Sequence, residues 1–86
     1  MNWVNISKLV KSTRKINNIT QKQLADELGV QLQLISNIER GLTGFPPARV
    51  RVLHDKYGVT LNRIKTAMVK DYRLNLENKI SNELRK

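Results

Sequence analysis

The sequence predicts an all-α fold, five helices followed by a further C-terminal helical segment. Three observations carry that prediction. Apolar residues recur at three- and four-residue spacing along most of the 86-residue chain, the period at which side chains share one helix face. Glycines at positions 29, 41 and 58 close such stretches, where a left-handed residue ends a helix without a side-chain clash. Cysteine is absent, so neither a disulfide nor a thiolate zinc site can staple the fold, and helix packing must supply the stability.

The first helix spans residues 4 to 16, with Val4, Ile6, Leu9, Val10, Thr13 and Ile16 as its apolar stripe. Asn5 or Ser7 is expected to cap its start. Lys8, Lys11 and Lys15, with Arg14 beside them, share the opposite flank and read as a solvated face. Trp3 is expected to cover the edge of the core, because a lone aromatic makes no base-stacking platform. Asn17-Asn18 form a polar break, and Ile19 is expected to be buried.

Thr20 and Gln23 are the two halves of a capping box at the start of the second helix, whose Leu24, Ala25 and Leu28 fall on one face. Gly29 ends it and Val30 plugs the corner. In the third helix Ile35 and Ile38 point inward, while Leu32, Gln33, Ser36, Asn37 and Arg40 fall on the other side, rich in groups that can read base edges. Gly41-Leu-Thr-Gly-Phe-Pro-Pro47 is an irregular connection. The fourth helix starts near Pro46 or Pro47, where a missing amide hydrogen costs little, and runs through Val50 and Leu53 to Tyr57. Gly58 ends it, Val59 packs the corner, and Thr60 caps a fifth helix with Leu61, Ile64 and Met68 inward.

Beyond about Lys70, Tyr72, Leu76, Ile80 and Leu84 recur every four residues, with Val69 and Leu74 alongside. Either the fifth helix continues or a sixth begins near Asn75. That stripe is too apolar to be left in water, so residues 71–86 are expected to dimerise, to fold back on the 1–70 domain or to meet a protein partner; a frayed tail is the remaining option.

Sixteen Lys and Arg against seven Asp and Glu give a formal charge of +9, which points to a polyanionic partner, nucleic acid first. Residues 1–45 hold six basic and three acidic groups, a net of +3, and residues 46–86 hold ten and four, a net of +6. The charge is therefore not concentrated in the third helix. No apolar run approaches the roughly 18 residues of a membrane span, and no signal-peptide core is present, so no membrane partner is expected. Catalysis is not expected either. His54 is the only histidine, and there is no glycine-rich phosphate loop and no carboxylate pair at metal-binding spacing; Asp26, Glu27 and Asp71 read as solvated helix charges. Neither cofactor nor metal is implied.

The stretch Gln21-Lys-Gln-Leu-Ala-Asp-Glu-Leu-Gly-Val30, followed by Ile35-Ser-Asn-Ile-Glu-Arg-Gly41, resembles the Cro and phage-repressor type helix-turn-helix family, also called XRE. The resemblance extends from about residue 6 to residue 68 and implies a five-helix lambda-repressor-like DNA-binding domain. It implies a second helix over residues 21–28 that crosses the DNA backbone and a third, about 32–39, in the major groove. Gln21 then touches phosphate and buttresses the reading residues. Gln31, Leu32 and Gln33, with Ser36 and Asn37 further along, face the bases, and Arg40 and Thr43 match phosphate-holding positions. Gln33 and Asn37 can pair with adenine and Leu32 can meet a thymine methyl, so a preference for A·T pairs is expected. Glu39 is implied to turn inward toward a basic group, Arg14 first, and Phe45 to pack across a dimer interface. Gln31 departs from the usual Ser or Thr cap, and Leu42 to Pro47 lack the basic residues relatives use on the backbone, which Arg49 and Arg51 can replace.

The expected function is a sequence-specific double-stranded DNA-binding transcription regulator, a small repressor of phage or mobile-element type that binds an inverted repeat as a homodimer in the cytoplasm of a prokaryotic cell. The alternative is the antitoxin of a toxin-antitoxin pair, with residues 72–86 gripping the toxin.

Overall fold

In the computed structural model, which describes residues 2–84, the apolar stripes wind into five α-helices, and no strand occurs among the described residues. They are α1 (Val4–Ile16), α2 (Gln21–Leu28), α3 (Leu32–Glu39), α4 (Val50–Tyr57) and α5 (Leu61–Leu84), with a single 3-10 turn, Pro47–Arg49, leading into α4. One core collects their inward faces. Ile6 and Val10 of α1 meet Leu24 and Leu28 of α2, Ile35 and Ile38 of α3, Leu53 of α4 and Ile64 of α5. Each such side chain contributes about 1.5–3 kcal/mol by leaving water, which lets a cysteine-free chain of this size hold together.

Local signals produce the helix ends. The Thr20 hydroxyl accepts from the Gln23 amide at 3.1 Å while the Gln23 side chain accepts from the Thr20 amide at 2.7 Å, a complete capping box. Thr20 has its counterpart in Thr60, whose hydroxyl accepts from the Arg63 amide at 3.2 Å at the start of α5. The Asn17-Asn18 break is a left-handed turn with Asn18 at φ +55°, a conformation Asn tolerates.

Several expectations are overturned by long-range packing. Neither Asn5 nor Ser7 caps α1, since both lie inside it and Trp3 stands at the cap position without a side-chain bond. The cap comes from α5. Asp71 is 0% exposed, and its carboxylate accepts the Asn5 amide at 2.9 Å, the Ile6 amide at 2.8 Å and the Asn5 side-chain amide at 2.9 Å. It is thus buried where a solvated charge was expected, because the unpaired amides and positive end of α1 attract a carboxylate. Ile16 is 82% exposed: it is the last residue of α1, where the chain turns away. Leu61 is also exposed, since the buried line of α5 runs through Ile64, Ala67 and Asp71 and leaves Leu61 at its edge. Phe45, expected at a contact between two copies, is 4% exposed and packs into the core of its own chain.

No sixth helix begins at Asn75. α5 runs unbroken through it and across the boundary at residue 70, and the Asn75 side-chain oxygen accepts the Asn2 amide at 3.0 Å. At 1.5 Å per residue a helix of 24 residues is about 36 Å long, which accounts for the 45 Å longest dimension against 26 and 21 Å across. Residues 76–84 are all exposed, so this segment does not fold back on the domain.

Candidate nucleic-acid interface

Between α2 and α3 the chain must reverse within three residues, and Gly29 makes that possible. Its φ is +68°; the Gly29 amide reaches back to Asp26 at 3.2 Å and the Val30 amide to Ala25 at 3.0 Å, closing α2 in a left-handed turn. Val30 packs against the core beside it. Ile35 and Ile38 then anchor α3 from below, and Leu34 is half-buried against the same core.

Polar bonds fix the far end of α3. Arg14 donates to Glu39 through Nε, 2.8 Å from Oε2, and through a terminal nitrogen, 3.1 Å from Oε1, a two-pronged pair with the Glu39 side chain buried. The hydrogen bond to Glu39 raises the Arg14 pKa, burial opposes it, and the carboxylate's charge adds to the rise. Arg14 also donates to the Ile19 carbonyl at 3.2 Å, and Ser7 Oγ donates to the Glu39 carbonyl at 2.6 Å. Gln21 Nε2 lies 3.3 Å from Glu39 Oε1. The inward turn of Glu39 toward Arg14 is therefore present, and it ties α1, α2 and α3 together where α3 ends.

The outer face of α3 carries a second network. Asn37 Oδ1 accepts from Gln33 Nε2 at 3.0 Å and from an Arg40 terminal nitrogen at 2.7 Å. Leu32, Gln33 and Arg40 are exposed, with Ser36 and Asn37 half-buried between them. Gln31 and Thr43 sit apart from this cluster. Gln31 stands at the cap of α3, exposed and without a side-chain capping bond, and Thr43 lies half-buried in the connection beyond α3. Gln21 is half-buried at the start of α2, held to Glu39 rather than to the outer network. Residue spacing alone carries the signal for the Gln33–Asn37–Arg40 row, since positions four and three apart are neighbours on a helix.

Arg40 is the single cation of this face, and the surrounding charges are partly paired. Lys22 lies 3.6 Å from Asp26, and Lys56 of α4 lies 3.2 Å from Glu27 of α2. Exposed pairs of this kind contribute little to stability. His54 Nδ1 is 3.0 Å from the Val59 carbonyl, which occupies it at the α4–α5 corner. Among the described residues no group of three or more His, Cys, Asp or Glu could hold a metal ion, and no helix is long and apolar enough to cross a membrane.

Residues 10–64, more than half of the chain, match the family model of the helix-turn-helix of Cro and phage-repressor type. Neither a curated protein nor a solved structure matches the chain. The matched residues run from the middle of α1 to the first turn of α5 and include the whole of the α2–turn–α3 unit whose outer face is described above. The chain belongs to the Cro and phage-repressor type (XRE) helix-turn-helix family and is a DNA-binding transcription regulator of that type.

Proposed function

We propose that this regulator is a small repressor of phage or mobile-element type that reads an inverted repeat as a homodimer and carries out no catalysis. The observation that carries the reading is the outer face of α3, where Leu32, Gln33 and Arg40 stand clear of the core around a half-buried Asn37 while Glu39 secures the helix from behind. Leu32 suits a thymine methyl and Gln33 suits adenine, so A·T pairs are favoured where they dock. Gln21 at the start of α2, Arg40 at the end of α3 and Thr43 beyond it are the residues that would hold phosphate. Gln31 and Ser36 complete the surface turned to the groove. Two copies of α3 about 34 Å apart match half-sites about 10 base pairs between centres.

The dimer contact is assigned to α5. Val69, Tyr72, Leu76 and Ile80 form an exposed apolar row at three- and four-residue spacing, beside an apolar groove of ≈ 380 Å³ lined by Trp3, Phe45 and Met68. Selection of sites from random duplexes, combined with molecular mass in solution, tests both halves of the reading. An inverted repeat bound by a dimer is the expected result, with log K falling by roughly 0.9 per phosphate neutralised as log salt rises. A flat salt response or a non-palindromic site bound by a monomer refutes it.

The same exposed row keeps the antitoxin reading in view, because residues 76–84 offer a partner an apolar surface that the domain leaves uncovered. A monomeric chain whose α5 loses its last turns in isolation favours that reading.

A further inference from the structure

We infer that Arg40 and Gln33 lock the Asn37 amide in one orientation, so that Asn37 offers only donors to the DNA and selects guanine or thymine, while Gln33 reads adenine. This rests on the proposal that α3 enters the major groove.

The orientation follows from donor and acceptor inventory. A guanidinium has donors only, so the Asn37 atom 2.7 Å from the Arg40 terminal nitrogen must be Oδ1. The Gln33 side-chain atom 3.0 Å from that same oxygen must then be its amide nitrogen. Both acceptor sites of Asn37 Oδ1 are filled, one of them by a charge-assisted bond, the stronger kind. What remains free is the Asn37 NH₂ with its two donors, the Gln33 oxygen, and one hydrogen of the Gln33 amide.

Adenine presents an acceptor and a donor side by side in the major groove, and the usual pairing of Asn with adenine needs Oδ1 to accept from the N6 amine. Here that oxygen is already taken. Guanine presents two acceptors and thymine one, which a bare NH₂ can meet; cytosine presents a donor, which it cannot. Gln33 keeps one free donor and its oxygen, the pair that adenine requires. Arg40 thereby acts as a positioning residue for Asn37, in addition to any bond it makes to phosphate. The expectation of A·T pairs narrows to Leu32 and Gln33.

The test is site selection from a random duplex library with the full chain. Loss of preference in Asn37→Ala identifies the base column that Asn37 reads. In the unaltered chain that column is expected to hold guanine or thymine, with adenine and cytosine depleted about tenfold. Arg40→Met frees the amide to turn and should admit adenine there, whereas Arg40→Lys, still a donor only, should restore the original column. Asn37→Asp keeps the shape and the Arg40 bond but turns the outward group into an acceptor, so the column should switch to cytosine. If Arg40 held phosphate alone, Arg40→Met would lower affinity for all sites alike and leave the column unchanged. Adenine in that column of the unaltered chain, or an unchanged column in both Arg40→Met and Asn37→Asp, overturns the inference while leaving the reading role of α3 intact. A chain that selects no motif at all overturns both.

Discussion

At the scale of single residues, Asp71 does the most with the least exposure. Three donors of α1 converge on one carboxylate, so its removal leaves buried amides unpaired at a helix start. Each such group costs about 1–3 kcal/mol, but α1 can relax at its first turn and recover water for some of them. We expect Asp71→Ala to lose about 2–3 kcal/mol, read as a lower urea midpoint with an unchanged slope. Tyr57 makes a different prediction. Burial foremost, then the nearby Glu27 carboxylate, raises its pKa, with Lys56 opposing. A raised pKa in the folded state means stability is full below the unfolded value of about 10 and is lost as pH climbs through the folded value. Thermal denaturation of the native chain should therefore fall more steeply above about pH 10 than that of Tyr57→Phe. Equal slopes would show that Tyr57 feels no such environment.

At the scale of elements, the Arg14–Glu39 pair sets how α3 leans on α1 and α2. Breaking one partner of a buried pair strands the other charge, at a cost of about 3–5 kcal/mol; the Arg14 side chain is 17% exposed, so the lower end applies. Arg14→Met should cost about 3 kcal/mol, and the double change Arg14→Met, Glu39→Leu should recover much of it, because the stranded carboxylate is gone. A double variant no more stable than the single one would mean that Glu39 is tolerated unpaired. The pair was legible in the sequence only through a family resemblance. The capping box at Thr20 and the glycine ends at Gly29 and Gly58 were legible from the residues themselves, because those signals act within a few positions of where they are written. Asp71 was not, since its partners lie 65 and 66 residues away and an acid among polar neighbours reads as solvated. Ile16 and Leu61 failed for a related reason. Periodicity names a face but does not say how far along the helix another element covers it. Among the candidate site residues, the outer placement of Leu32, Gln33 and Arg40 followed from the inward spacing of Ile35 and Ile38. The bonds that bind Gln33, Asn37 and Arg40 into one unit did not, because spacing permits them without specifying which amide atom faces which.

At the scale of the whole molecule, α5 joins two different environments. Its first half is built into the core through Ile64, Ala67 and Asp71, and its second half carries Leu76, Ile80 and Leu84 into solvent. A rigid connection of this kind transmits position: whatever covers the outer half is held at a fixed place relative to α3 of the same chain. If the cover is a second copy, each Leu or Ile buried there contributes up to about 1.5–3 kcal/mol, and two changes per chain are repeated in both copies. Leu76→Glu with Ile80→Glu should therefore convert the dimer to monomer in sedimentation equilibrium. Neither residue belongs to the core cluster, so helical content and the urea midpoint of the 1–70 region should change little. Binding to a full inverted repeat should then drop steeply while binding to a single half-site persists weakly, because the second copy no longer arrives tethered to the first. A double variant that stays dimeric moves the interface elsewhere on the protein, and one that keeps full affinity for the inverted repeat as a monomer shows that the two half-sites are occupied independently.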